Sequence, residues 1–471
     1  MFNGLKSKIF AVIFLLTFIG CGSVATKHKF YDPIADDLKT EKFSDAVVKV
    51  EAARANNNYA KKDRLLYYLD AGLSNHYANN YIPSNEKLSE AERAAEDLFT
   101  KSVSRGAASF LLNDNVLEYS GEDYEVLYAN LIMALNYLSL DKFDEAFVEI
   151  RRANEKLQLL EQKYAGAADL YSQKTDDDTT DVNSKIDYDI EKVKFNNDAF
   201  ARYLSMHMYA ADGNYDDARI DYDMLKSAFK TQPHIYDFSL PNVSYKPQSK
   251  DNAIISCVAL TGLSPEKRAL ALRIRTDKQL QLVQVLYTSE AKKDVEYGHI
   301  MFPVKSDYYF KFSLPEIVPR YSDINRIKIK ANNEIVGELK LIEDISKVAI
   351  ETFKAKQSLV YFRSIARAIV KGLAAQKLKA NLDQKTGGGL GGWLAKAAVD
   401  VGTDAIENAD LRCARLLPGK IYVGDFEIAP GNYNITVDFY NANGSLVLSK
   451  LVSGFQVNKG DFNIIEIVAL R

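Results

Sequence analysis

The sequence predicts a multidomain α+β protein in which an N-terminal α-solenoid of helical hairpins is followed by a β-sandwich interrupted by a helical insertion. Three observations carry that class. A phrase of polar residue, aromatic, two spacers and small residue recurs four times before residue 232, each copy followed by apolar residues at helical spacing. From about residue 250 the pattern becomes alternating, rich in β-branched and aromatic residues, with turn dipeptides between runs. Between two such strand-rich stretches, 345–410 returns to helical periodicity around a glycine run.

The chain opens with Lys6 and Lys8 before an apolar run from Ile9 to Ile19 that ends in Gly20-Cys21. That run has the length of a secretory h-region and is shorter than the roughly 20 residues of a membrane span. It resembles a bacterial lipobox, with Phe18 in place of the commoner leucine. The expectation is a signal peptide over 1–20, lipidation at Cys21 and a lipidated tether over 21–35. Two acyl groups and an N-acyl chain anchor stably, whereas one chain alone is marginal. Gly22 is not the aspartate that retains such proteins at the inner membrane in enteric-type bacteria, so the expected location is the outer membrane, facing the periplasm.

The hairpins occupy 36–232. Their turns are Lys42-Phe43-Ser44-Asp45-Ala46, Asn80-Tyr81-Ile82-Pro83-Ser84, Lys142-Phe143-Asp144-Glu145-Ala146 and Asn214-Tyr215-Asp216-Asp217-Ala218. The aromatic wedges at the turn and the small residue lets the second helix pack closely on the first. The pattern resembles the tetratricopeptide repeat, in a degenerate form with copies spaced wider than the regular period of about 34 residues. Residues 100–123 and 160–190 are read as insertions, the second holding the polar loop Lys174 to Asp181. Asp176 and Asp178 alternate as in a calcium loop, but the turn glycine is missing at Asp181 and Asp187 stands where the bidentate glutamate belongs, so no metal is expected.

Pro233, Pro241 and Pro247 mark a linker. Strands are then expected at Ala253–Leu260, Leu270–Arg275, Gln281–Tyr287, Tyr308–Phe312, Arg326–Lys330 and Glu334–Leu341, the first part of the sandwich over 250–344. The helical insertion over 345–410 carries an apolar stripe from Phe362 to Leu373. Arg363, Arg367 and Lys371 line its other face, read as solvated. Gly387 to Gly392 contains G-x-G-x-x-G, but no strand precedes it, so it reads as a hinge and not a dinucleotide loop. The second part of the sandwich, 411–471, has strands at Lys420–Phe426, Tyr433–Tyr440, Leu446–Leu451 and Asn463–Ala469. Pro430-Gly431 and Asn443-Gly444 supply turns between them.

Charge excludes little beyond nucleic acid: 60 Lys and Arg face 63 Asp and Glu in 471 residues. The five histidines are scattered and match no ligand spacing, no nucleophile elbow occurs, and no cofactor or catalytic residue is assigned. Cys257 and Cys413 either pair or are both buried, and the apolar run around Cys257 favours burial.

The densest polar cluster gathers Asn113, Asp114, Glu122, Glu125, Asn136, Arg151 and Arg152. Ser120 with Asp123 is expected to cap the helix beginning near Tyr124. Arg151 or Arg152 is expected to pair with Glu122 or Glu125, and Asn136 to tie the insertion to the scaffold. The stretches Leu112 to Asn115, Tyr119 to Glu122, Ala134 to Leu138, Glu149 to Asn154, Ala409 to Arg412 and Ala429 to Tyr433 resemble a family of uncharacterised bacterial lipoproteins with a tetratricopeptide-like N-terminal half. Its members occur beside lipoprotein activators of peptidoglycan synthases, so the resemblance implies envelope work and no particular activity.

The functional expectation is a non-enzymatic, lipid-anchored scaffold or adaptor that binds an envelope protein or peptide. A groove on the first helices, formed by Leu69, Leu73, His76, Tyr203 and His207, is expected to hold it. Alternatives are an enzyme or regulator of peptidoglycan metabolism acting through Glu122, Glu125 and Arg152, and a structural subunit of an outer-membrane assembly. Oligomeric state is left open.

Overall fold

The computed structural model describes residues 29–105, 117–175, 197–280, 282–288, 294–301, 308–354 and 409–471. The signal segment and Cys21, Asn113 and Asp114, the acidic loop beyond Thr175, the basic stripe from Phe362 to Leu373 and the glycine run lie outside the described residues. The class is α+β, with helices in the N-terminal half and strands in the C-terminal half.

Four helical hairpins run in sequence: α1 (Tyr31–Lys39) with α2 (Phe43–Ala55), α3 (Arg64–Tyr77) with α4 (Tyr81–Arg105), α5 (Asp123–Ser139) with α6 (Phe143–Thr175), and α7 (Ala199–Ala211) with α8 (Tyr215–Thr231). Each turn aromatic is the first residue of its second helix. The four turns share one geometry. Glu41, Asn79, Asp141 and Gly213 have φ of 61°, 60°, 58° and 82°. The next amides, those of Lys42, Asn80, Lys142 and Asn214, donate to the carbonyls of Asp37, Asn75, Tyr137 and Tyr209, all at 2.8 Å. This is the left-handed helix cap that closes orphan carbonyls. The small residues Ala46, Ser84, Ala146 and Ala218 are fully buried, as the phrase requires. Within the second hairpin the helices meet at Gly72, where an added Cβ would lie 2.5 Å from Leu88.

Helix α1 starts inside the stretch read as tether. Pro33 falls in its first turn, where the missing amide costs nothing. The presumed linker is likewise packed: Ile235, Tyr236 and Val243 are buried, and Gln232 Nε2 donates to Asn197 O at 2.8 Å.

The strands are β1 (Ala253–Leu263), β2 (Glu266–Asp277), β3 (Leu282–Thr288), β4 (Asp294–Met301), β5 (Tyr308–Val318), β6 (Arg326–Ala331), β7 (Glu334–Asp344), β8 (Pro418–Ile428), β9 (Gly431–Tyr440), β10 (Leu446–Val457) and β11 (Asn463–Ala469). They form a seven-stranded sheet ordered β10-β9-β6-β7-β8-β1-β11 and a separate four-stranded sheet ordered β4-β3-β2-β5. The first expected half of the sandwich is therefore divided between two sheets. In the larger sheet β7 changes partner midway: Glu334 to Leu339 pairs with β6, and Lys340 to Asp344 with β8. The sheet curls until its edges approach, where Lys450 on β10 donates to Val468 O on β11 at 2.6 Å.

Alternation then sorts the side chains of β1. Ile255, Cys257 and Ala259 point into the curl, with Ile327, Ile329, Val437, Phe439, Ile465 and Ile467. Val258 and Leu260 point the other way and share one core with the helices, together with Ile421 and Val423 of β8. Both faces of β1 are thus buried, which is why its sequence is a nearly continuous apolar run.

Candidate functional site

The seam between helices and sheet covers the expected groove. Leu69, Leu73, His76, Tyr203 and His207 are all buried, none more than 5 % exposed. The sheet occupies the face that a free helical array would present, so the expected groove is filled by the chain itself. Tyr203 Oη donates to Asp425 Oδ1 at 2.7 Å and Tyr77 Oη to Leu416 O at 2.7 Å. His76 is held between Asn136 Oδ1 and Glu466 Oε1, each at 2.7 Å. Asn136 spends its own amide protons on Ser84 and Asn85, at 2.9 and 2.8 Å, so its oxygen faces the imidazole and its role is to orient His76, not to tie an insertion.

The polar cluster is redistributed in the same way. Glu122, not Ser120, stands at the N-cap of α5, and its amide donates to Glu125 Oε2 at 3.0 Å, a capping box. Glu122 pairs with Lys267 on β2 at 2.7 Å. Glu125 is fully buried and accepts from Tyr119 Oη and the Ala414 amide, both at 2.7 Å. Burial and the neighbouring Glu122 charge push its pKa up. Arg152 bonds elsewhere, to Glu92 at 3.1 Å and Glu149 at 3.3 Å, where Asn130 and Lys156 complete a network joining α4, α5 and α6. Arg151 lies over the Phe147 ring at 4.4 Å. Glu122, Glu125 and Arg152 are thus not one constellation.

Several seam residues escaped the sequence reading. Arg412 reaches Asp63 and Asp410, both at 2.7 Å. Asp70 on α3 accepts from Tyr31 and Tyr59 at 2.5 and 2.8 Å, and burial lifts its pKa to about 7. Tyr236 donates to Glu343 at 2.9 Å. Asp425 takes Tyr203, His207, Ser256 and the Ser244 amide together. The available signal was a charged or hydroxyl residue within an otherwise apolar strand, such as Ser256 in β1 or Glu466 in β11. Ser256, His207 and Asp425 do not form a nucleophile relay, since Ser256 Oγ and Asp425 both lie at Nε2 (3.4 and 3.1 Å) and the serine donates straight to the carboxylate at 2.9 Å. Cys257 and Cys413 are free and buried, and burial raises both thiol pKa values.

Among the described residues one cleft opens within the large sheet and another beside the seam. Beyond Val423 the β8 strand pairs with β1 alone, and β7 before Lys340 pairs with β6 alone, so two strand edges diverge among the described residues. Between them opens a cleft of about 550 Å³ lined by Val336, Glu338, Lys340, Phe426, Glu427 and Ile428. The Phe426 ring packs against Gly337, where an added Cβ would stand 2.3 Å from it. The second cleft, about 150 Å³, lies on the other side of Asp425 beside His207.

Among the described residues no cluster of His, Cys, Asp and Glu is placed to hold a metal, and no helix is long and apolar enough to cross a membrane. No known family model matches the chain, and no curated protein matches it.

Proposed function

We propose that this chain is a lipid-anchored adaptor of the bacterial envelope, held through Cys21 on the periplasmic face of the outer membrane, that grips an extended segment of an envelope protein. On this reading the hairpins are a degenerate tetratricopeptide-like solenoid, the curled sheet is a flattened sandwich, and the resemblance to the lipoprotein family extends over most of the mature chain. The observation that carries it is the opening between β7 and β8. Two strand edges that, among the described residues, pair with no strand across the gap flank a cleft whose apolar walls, Val336, Phe426 and Ile428, alternate with Glu338, Lys340 and Glu427. Such an edge recognises a peptide by strand addition, the backbone giving affinity and alternate side-chain pockets giving specificity.

The test is a photo-crosslinking amino acid at Val336 in the full lipoprotein, irradiated in intact cells. A discrete adduct to one envelope protein is expected, absent when the crosslinker stands at exposed Tyr321 and reduced when Cys21→Ala releases the chain from the membrane. No adduct at Val336, or equal adducts at both positions, rejects the reading.

A further inference from the structure

The four-stranded sheet has two unlike faces. In its register Leu272 on β2 pairs with Phe312 and Tyr287, and Ile274 with Phe310 and Val285, so one face collects apolar residues from three strands. The alternate residues Arg273 and Arg275 pair with Lys311 and Gln284, and Arg275 is exposed. The apolar face is covered at its base. Leu272 is 1 % exposed, and Leu314, opposite Leu270 in the same row, is fully buried. Yet among the described residues neither belongs to the core beneath the helices or to the core inside the curl. An antiparallel sheet with one face in water buries the other against a second layer, so this face has a layer of its own.

The course of the chain says where that layer comes from. The described residues stop at Lys354 and resume at Ala409, and both ends lie beside the start of β2. Phe353 is buried, its ring centroid 5.7 Å from Lys267 Nζ. On the return, Cys413 Sγ lies 4.0 Å from Pro265 O, and Arg415 pairs with Glu266 at 3.2 Å. The stretch 355–408 therefore begins and finishes next to this sheet. It carries the stripe Phe362, Ile365, Ala366, Ile369, Val370 and Leu373, spaced as one face of a helix. A helix over 362–373 is roughly 18 Å long, comparable with the roughly 20 Å that β2 covers from Leu270 to Thr276. The link from Lys354 to Phe362 reaches roughly 26 Å when extended, enough to bring the stripe over the middle of the sheet. We propose that residues 362–373, which lie outside the described residues, dock their apolar stripe on this face of the four-stranded sheet, leaving Arg363, Arg367 and Lys371 toward solvent. Nothing in the proposal depends on a lipid at Cys21 or on a peptide in the β7–β8 opening.

The test places benzoyl-phenylalanine, one aromatic for another, at Phe362 of the purified full chain and maps its photo-adducts by mass spectrometry. Adducts within β2 or β5 are expected, unchanged by phosphatidylglycerol vesicles, and none there when the same amino acid stands at Arg367. Adducts from Phe362 to lipid, to a second copy or to another part of the chain overturn the proposal, as does the absence of any adduct. Hydrogen exchange gives a second readout. Ile369→Asp should speed exchange of the β2 and β5 amides roughly tenfold or more while α5 keeps its rates, and Arg367→Asp should change neither. Where the aspartate prevents folding, Ile369→Ala is read in its place, with an expected rise of about threefold. Wild-type rates in the Ile369 variant, or equal acceleration by Arg367→Asp, overturn the proposal. Crosslinking at Val336 is a separate readout, so each idea can fail alone.

Discussion

His76 shows how one buried residue sets a pH dependence. Both of its nitrogens face acceptors, Asn136 Oδ1 and Glu466 Oε1, so the ring is held as the imidazolium. Burial pushes its pKa down, but the Glu466 charge and the two hydrogen bonds push it up by more, and the net shift is upward. A histidine whose folded pKa is raised contributes stability that is fully present below the unfolded value of about 6.5 and is lost as pH rises through the folded value. Asp70 works in the same direction. Its carboxyl rises from 3.8 to about 7 through burial, so the folded state holds a proton that the unfolded chain gives up. Stability contributed this way falls as pH climbs from about 4 to about 7, by a few kcal/mol at most. Urea midpoints should therefore decline from mildly acidic to mildly alkaline pH. Asp70→Asn should flatten the acidic part of the decline, and Glu466→Gln the part that begins above about 6.5. Glu466→Gln should also cost about 3–5 kcal/mol below neutrality by stranding a buried charge. A pH-independent midpoint in the wild type would contradict both assignments. Neither residue was legible as a pair, because 390 positions separate His76 from Glu466 and only the fold brings them together.

At the scale of elements, most of the fold was readable. Ten of the eleven strands among the described residues coincide with runs of alternating or β-branched residues, because alternation records which face is buried. β4, Asp294–Met301, has Gly298 and no steady alternation, and it was missed. The helical turns were found through their aromatics, yet the feature that shapes them was not. It sits two residues earlier, at Glu41, Asn79, Asp141 and Gly213; glycine announces a left-handed backbone by its type, Asn and Asp tolerate one, and Glu41 gives no sign of it. That gives a prediction specific to the turns. Asp141→Gly and Glu41→Gly should each stabilise the protein by up to about 1 kcal/mol, since glycine adopts positive φ without the Cβ penalty. Gly213→Ala should destabilise by about 1 kcal/mol although no atom lies within 4 Å of the added Cβ, because the cost is in the backbone. Chemical denaturation of the three variants checks the signs. Destabilisation by Asp141→Gly would mean that its carboxylate contributes more at the turn than the backbone costs.

At the scale of the whole molecule, the groove expectation failed because the helical pattern specifies an apolar face without saying what covers it. Leu73 and Tyr203 have the spacing of a ligand-binding face, and here the ligand is the chain's own sheet. Val258, Leu260, Ile421 and Val423 of the sheet lie in the same core as the helices, and Tyr203 and His207 end on Asp425. Two halves that share one core cannot unfold independently, because opening the seam exposes apolar surface on both sides and strands Asp425 and Glu466 without their donors. Leu73→Ala should cost about 2–5 kcal/mol by cavity formation, although the residue lies in the helical half. Its effect should appear equally in a helical signal, far-ultraviolet circular dichroism, and in a probe of the sheet such as fluorine-labelled tyrosine at Tyr422. The two transitions should coincide in the wild type and shift together in the variant. If the helical transition moves alone while the Tyr422 signal keeps its midpoint, the hairpins and the sheet are separate cooperative units. The seam would then be a docking surface between domains, free to open for a partner after all.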